Sequence, residues 1–209
     1  MRRAALGFRA HSGWAVMLAV AEPAVERGLP TASMIIERRR IDLAGAAAAR
    51  TSATVQPYHM ARDLDIERAR DLIERSTREA TRLAEVAVRG TIDSLRAKDW
   101  AVAACGILLA SGRPLPSLAE ILASHSLIHG AEGEMFRQAL QSAGESFGLR
   151  VLGAKERDLY PRVAAVFGAS PEQLRSALDG LGRALGPPWR QDEKYAALVA
   201  WLALSGIDD

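Results

Sequence analysis

The chain has 209 residues, of which 49% are apolar and 25% charged. That composition excludes intrinsic disorder, and the length suits one sizeable core, so a single domain over 1–209 is expected. With 27 basic against 25 acidic residues the net charge is only +2, which excludes bulk charge as a basis for nucleic-acid binding. Cys105 is the one cysteine, so neither an intrachain disulfide nor a cysteine metal cluster can form, and a reducing compartment fits. Arg9 and His11 interrupt the apolar run that follows Met1-Arg2-Arg3, and no 18-residue apolar span occurs. A cytoplasmic protein with no membrane partner is therefore expected.

Ala4 to Phe8 and Trp14 to Ala21 are short apolar runs joined by Arg9-Ala10-His11-Ser12-Gly13, a pattern that predicts a hairpin. Ser33 to Leu43 predicts a third strand, whose Arg38-Arg39-Arg40 run reads as a solvated face or an anion-binding edge. Residues 44 to 62 have no clear period and predict a mobile loop. From Asp65 to Ala97 apolar residues recur at three- and four-residue steps, one stripe of an amphipathic helix that Gly90 could interrupt. Its polar face carries seven acids and seven arginines, a balance that suits solvent.

Trp100 to Ala110 is apolar throughout and predicts a strand buried on both faces, as in a parallel sheet. Ser117 with Glu120 is a capping box, and helix is expected from there to Ser146, with breaks near Gly130 and Gly133. Leu149 to Gly153 reads as a short strand. Ser170-Pro171 opens a further helix ending around Gly180 to Gly182, Gly186-Pro187-Pro188 breaks the chain, and a last apolar helix runs from Gln191 to Leu204. The expected fold class is α/β: a mixed sheet of three antiparallel and then parallel strands, with helices on both faces.

That order of elements resembles the ribonuclease H-like fold in its Holliday-junction resolvase layout. Ala5-Leu6-Gly7-Phe8-Arg9-Ala10-His11-Ser12-Gly13-Trp14-Ala15-Val16 looks like that group's first strand, turn and second strand. Gln191-Asp192-Glu193-Lys194-Tyr195-Ala196-Ala197-Leu198 looks like its last helix. The resemblance implies a nuclease in which several carboxylates hold divalent ions. It also implies an acid where this chain has Arg9, and another at the end of the fourth strand, where it has Gly106-Ile107-Leu108-Leu109. Asp192 alone has a counterpart. A standard two-metal nuclease is therefore not expected. A divalent metal ion is the one cofactor that the resemblance suggests.

Three segments carry candidate chemistry. His125, His129 and Glu132 stand at i, i+4 and i+7 of a helix, one face that suits an acid–base set or metal ligands. A helix start with capping hydroxyls and buried, hydrogen-bonded histidines is the favoured reading of the same residues, and no residue is assigned as a metal ligand. Arg9, His11, Ser12 and Gly13 combine cation, imidazole, hydroxyl and glycine in one turn, suited to phosphate or to a plain hairpin. Asp192 opens the last helix behind Pro-Pro-Trp, a position that also suits the helix dipole. The expected catalytic residues are His129, Glu132 and Asp192. The expected anion-binding residues are Arg9, His11, Ser12 and Lys194.

The first functional reading is a domain that binds nucleic acid or a phosphate-bearing ligand, or serves as a scaffold, with Arg9, His11, His129, Glu132 and Asp192 lining one cleft. A hydrolase with His129 as base, Glu132 or Glu134 as its orienting acid and Arg9 as anion clamp is the second. A non-enzymatic assembly protein, self-associating through the long helix or the exposed sheet edge, is the third.

Overall fold

The computed structural model of the chain describes residues 1–23, 28–44, 56–110 and 114–206. The first hairpin forms as its pattern predicts, with strands β1 (Arg2–His11) and β2 (Trp14–Ala21) around a turn in which Gly13 takes a φ of 81°. β3 (Ile35–Asp42) completes an antiparallel trio. Two parallel strands, β4 (Trp100–Leu109) and β5 (Arg150–Lys155), extend the sheet on the other side of β1. The strand order is β3-β2-β1-β4-β5, the mixed α/β sheet expected.

Seven helices are described: α1 (Pro57–Ala61), α2 (Ile66–Arg96), α3 (Leu118–Leu122), α4 (His125–Ser146), α5 (Glu156–Phe167), α6 (Pro171–Leu185) and α7 (Gln191–Ser205). The predicted loop at 44–62 is corrected at its end, because Pro57–Ala61 is helical; residues 45–55 lie outside the described residues. Pro57 at the first position presets the helical φ. The expected breaks also move. α2 runs unbroken through Gly90, and Gly130 and Gly133 lie inside α4. The chain instead breaks at Ala123 and Ser124, between α3 and α4. An isolated glycine costs a helix only about 1 kcal/mol, which packing readily offsets. α6 likewise continues past Gly180 and Gly182 to Leu185.

Strand alternation splits the core in two. Ala5, Val16, Leu18, Val20, Ala104 and Leu108 face α5, α6 and α7. Leu6, Phe8, Met17, Ala19, Cys105 and Ile107 face α2 and α4. α7 lies close against the sheet: a Cβ on Gly7 would stand 1.8 Å from the Ala196 carbonyl oxygen, and one on Gly106 would stand 2.1 Å from that of Val199. Gly7 and Gly106 are register partners in β1 and β4, so together they open the space that α7 fills.

On the opposite face α2 is longer than the strands it lies against. Thirty-one residues span about 46 Å at the helical rise, against about 33 Å for the ten-residue β4. The C-terminal end of α2 leads directly into β4, so its N-terminal turns project past the carboxyl edge of the sheet. There Ala69 and Ile73 pack with Ala61 and Leu122, which seats α1 and α3 on the projection.

Candidate functional site

Alternation along β1 also places the first polar cluster. Ala5, Gly7, Arg9 and His11 point to the α7 side, because every second residue does. Arg9 and His11 therefore meet Asp192 in the first turn of α7. The Arg9 Nε lies 3.5 Å from Asp192 Oδ1, and His11 Nε2 lies 2.9 Å from Asp192 Oδ2. All three side chains are about one-third exposed. Arg9 Nε is itself buried without a hydrogen bond, so charge rather than hydrogen-bond geometry joins it to Asp192.

This cluster borders a groove of about 530 Å³. Trp14, Val16, Pro187 and Pro188 form its apolar part; Arg38, Arg39, Arg40 and Arg190 oppose Asp192 and Glu193. The Trp14 ring carries the His11 imidazole stacked at 4.2 Å and the Arg40 guanidinium at 4.2 Å from its centroid. Glu193 is buried and accepts the Arg190 backbone N–H at 2.7 Å, closing the N-terminus of α7.

The three consecutive arginines are not equivalent, because β3 alternates as well. Arg38 donates to the backbone carbonyls of Leu185, Gly186 and Pro188, tying the end of α6 to the sheet. Arg39 points to the other face and donates to Ala87 and to the Thr91 hydroxyl of α2. Arg40 remains exposed on Trp14, 3.7 Å from Asp42. Lys194, expected to bind an anion, instead pairs with Asp179 of α6 at 2.5 Å. Two residues along a helix turn the side chain by about 200°, which carries Lys194 away from Asp192. Ser12 stays in the hairpin turn.

His129 and Glu132 are not brought to Asp192. They belong to a second cluster, on the α2–α4 side of the sheet, completed by a residue the sequence did not suggest. His59 of α1 donates through its backbone N–H to Glu132 Oε1 at 3.2 Å, and its Nδ1 lies 2.9 Å from the same oxygen. His125 and His129 face each other, Nε2 to Nε2, at 3.1 Å. Glu132 therefore orients His59, not His129, which removes the geometry of the predicted His129–Glu132 pair. Glu134 turns to Arg137, 2.9 Å away. The Glu132 side chain is 1% exposed, since α1 lies over it. Burial, and then the Glu132 charge, push the Tyr58 phenol above its usual range. His59 escaped notice because a five-residue helix is too short to show a period; its one signal was a histidine directly after Pro-Tyr.

Two further groups have structural roles. Glu156 and Asp158 lie in the first turn of α5, where Glu156 accepts the Tyr195 hydroxyl. Cys105 is buried, and burial pushes its thiol up to about 12, which makes it inert. No helix of the described residues is long and apolar enough to cross a membrane.

Among solved structures, the chain is similar to Thermus thermophilus RuvC, with a TM-score of 0.52 and 12% identity over 97% of this chain and 93% of that one. It is also similar to T. thermophilus RuvC in complex with a Holliday junction substrate, with a TM-score of 0.50, again at 12% identity over 97% and 93%. No protein-family model matches the chain, and no curated protein sequence does. The chain thus has the ribonuclease H-like fold in the resolvase layout, with sequence far diverged from these neighbours.

Proposed function

We propose that the chain binds a nucleic acid, or another phosphate-bearing ligand, in the groove between the β1–β2 turn and the start of α7, and does not cleave it by two-metal chemistry. The observation that carries this reading is the groove's make-up: Arg40 and Arg190 beside a Trp14 platform that stacks with His11 and Arg40, with Arg38 held in the wall by backbone carbonyls. Exposed guanidinium groups recognise phosphate, and an indole stacks on bases or sugars. The neighbour solved with a Holliday junction makes branched DNA the first ligand to test.

The divalent ions implied by the resemblance do not fit the residues here. A site for them needs converging carboxylates. Asp192 is the one carboxylate in the cluster, and it already faces the Arg9 guanidinium and His11. A fixed cation at Arg9 repels a metal ion and attracts the phosphate that such an ion would otherwise hold.

The test is fluorescence anisotropy with a labelled four-way DNA junction and a duplex of equal length, over a range of salt. Affinity is expected to fall with rising salt, with a slope of about −0.9 per phosphate neutralised on duplex DNA. Arg40→Glu with Arg190→Glu is expected to weaken binding and flatten that slope. Absence of binding to either DNA and to a phosphate-bearing small-molecule panel sinks the proposal, as does binding that the double variant leaves unchanged. Cleavage of the junction in magnesium or manganese overturns its second half.

A further inference from the structure

We infer that His59, His125 and His129 form a binding site for a divalent transition metal such as Zn²⁺, with Glu132 positioning one of the ligands. This site is on the opposite face of the sheet from Asp192 and does not depend on the proposed groove function.

Four observations converge. The three histidines each offer a ring nitrogen, and these atoms lie within 4.8 Å of one another. The His125 and His129 Nε2 atoms are 3.1 Å apart. Two nitrogens on a tetrahedral Zn²⁺, each bonded at about 2.0–2.1 Å, stand about 3.3 Å apart. Closing the set on one ion asks ring nitrogens now within 4.8 Å of one another to draw in to about 3.3 Å, by rotation of the exposed His125 and His129. The three rings are also splayed rather than stacked, with interplanar angles of 81°, 62° and 78°. Neighbouring rings commonly pack edge-on, and this arrangement is compatible with ligands around one point.

The fourth observation is Glu132. Where Glu132 is ionised it only accepts hydrogen bonds, and the His59 proton then sits on Nδ1, facing Glu132 Oε1 at 2.9 Å. That tautomer leaves the Nε2 lone pair for a metal, the carboxylate–histidine–metal arrangement by which a buried acid fixes a ligand's orientation. Glu132 is buried, and its Oε2 has no hydrogen-bond partner. A metal ion held through His59 would bring a positive charge to this buried, incompletely bonded carboxyl group. Nitrogen ligands select zinc and its transition-metal neighbours over magnesium and calcium. Three histidines with two of them exposed leave a coordination position open to water or an anionic ligand.

The test uses the full, untagged chain, stripped with a chelator and dialysed. Zinc is titrated calorimetrically and counted by elemental mass spectrometry. One zinc per chain is expected, and cobalt is expected to give the visible spectrum of a tetrahedral complex. His125→Ala and His129→Ala, on exposed positions, are expected to fold normally by circular dichroism and to weaken zinc binding by more than about 100-fold. His59→Ala is expected to do the same. Glu132→Gln is expected to weaken it by about 10–100-fold while keeping the stoichiometry. The site is overturned if the chain takes up no zinc. It is also overturned if either exposed-histidine variant binds zinc like the parent, or if His59→Ala retains full affinity, which marks an ordinary two-histidine surface site. Parental affinity in Glu132→Gln overturns the positioning role.

Discussion

The two faces of the sheet bury their cores in opposite ways. On one face α7 has no polar side beyond its first turn: Tyr195 through Leu204 are all buried, with the sheet beneath and α5 against it. On the other, α2 buries Ala69, Ile73, Ala80, Ala84, Val88 and Leu95 along a single stripe and leaves its charged side in water. A helix enclosed on every side must match its surroundings atom by atom. A helix lying half in solvent need match only one line of contacts. The polar clusters differ in the same sense. Arg9, His11 and Asp192 sit where the sheet and a buried helix meet. The three histidines sit on α1 and α4, with α1 seated on the projecting end of α2.

This contrast is broken most directly at the glycines. Gly7→Ala on the enclosed side sets a methyl 1.8 Å from a backbone oxygen that cannot move alone. It is expected to cost more than about 3 kcal/mol, read as a lower urea midpoint or as insoluble expression. Trp201→Ala on the same side empties a fully buried site and is expected to cost about 3–5 kcal/mol by urea unfolding. Its counterpart Val86→Ala, on the exposed side of α2, is expected to stay within about 0.5 kcal/mol. If both faces lose equally, the contrast is wrong.

Smaller effects sharpen it. At Gly90 in α2 an added Cβ meets nothing, so Gly90→Ala is expected to stabilise the fold by about 0.5–1 kcal/mol, seen as a raised melting temperature. Arg9→Ala removes a partly exposed ion pair and is expected to change stability by less than about 1 kcal/mol, while weakening anion binding in the groove. A stability loss of several kcal/mol instead makes Arg9 a structural residue and not a ligand-facing one. Smallest of all, Cys105 in the folded chain is expected to resist alkylation near pH 8 and to react once unfolded, as followed by mass spectrometry.

Most of the fold was legible in the residues. β2, α2 and α7 fall within a residue or so of their expected bounds, because each is long enough to show its period or its uniform apolarity. The caps at Ser117 and Ser170 form as their motifs predict. The joint between α3 and α4 was not legible, since it falls at alanine and serine rather than at the nearby glycines. Of the candidate site, the neighbourhood of Arg9 and Asp192 followed from the resemblance. The departure of Lys194 and the arrival of His59 did not.

The sequence by itself determined the order of the main elements and the alternation of faces along each strand. These depend on local period and residue type, which neighbouring residues carry. Only the tertiary structure decided which polar groups meet. His59 and Glu132 are 73 residues apart, and His11 and Asp192 are 181 apart. Such encounters depend on how far α2 overhangs the sheet and how closely α7 settles on two glycines. No single segment encodes either distance.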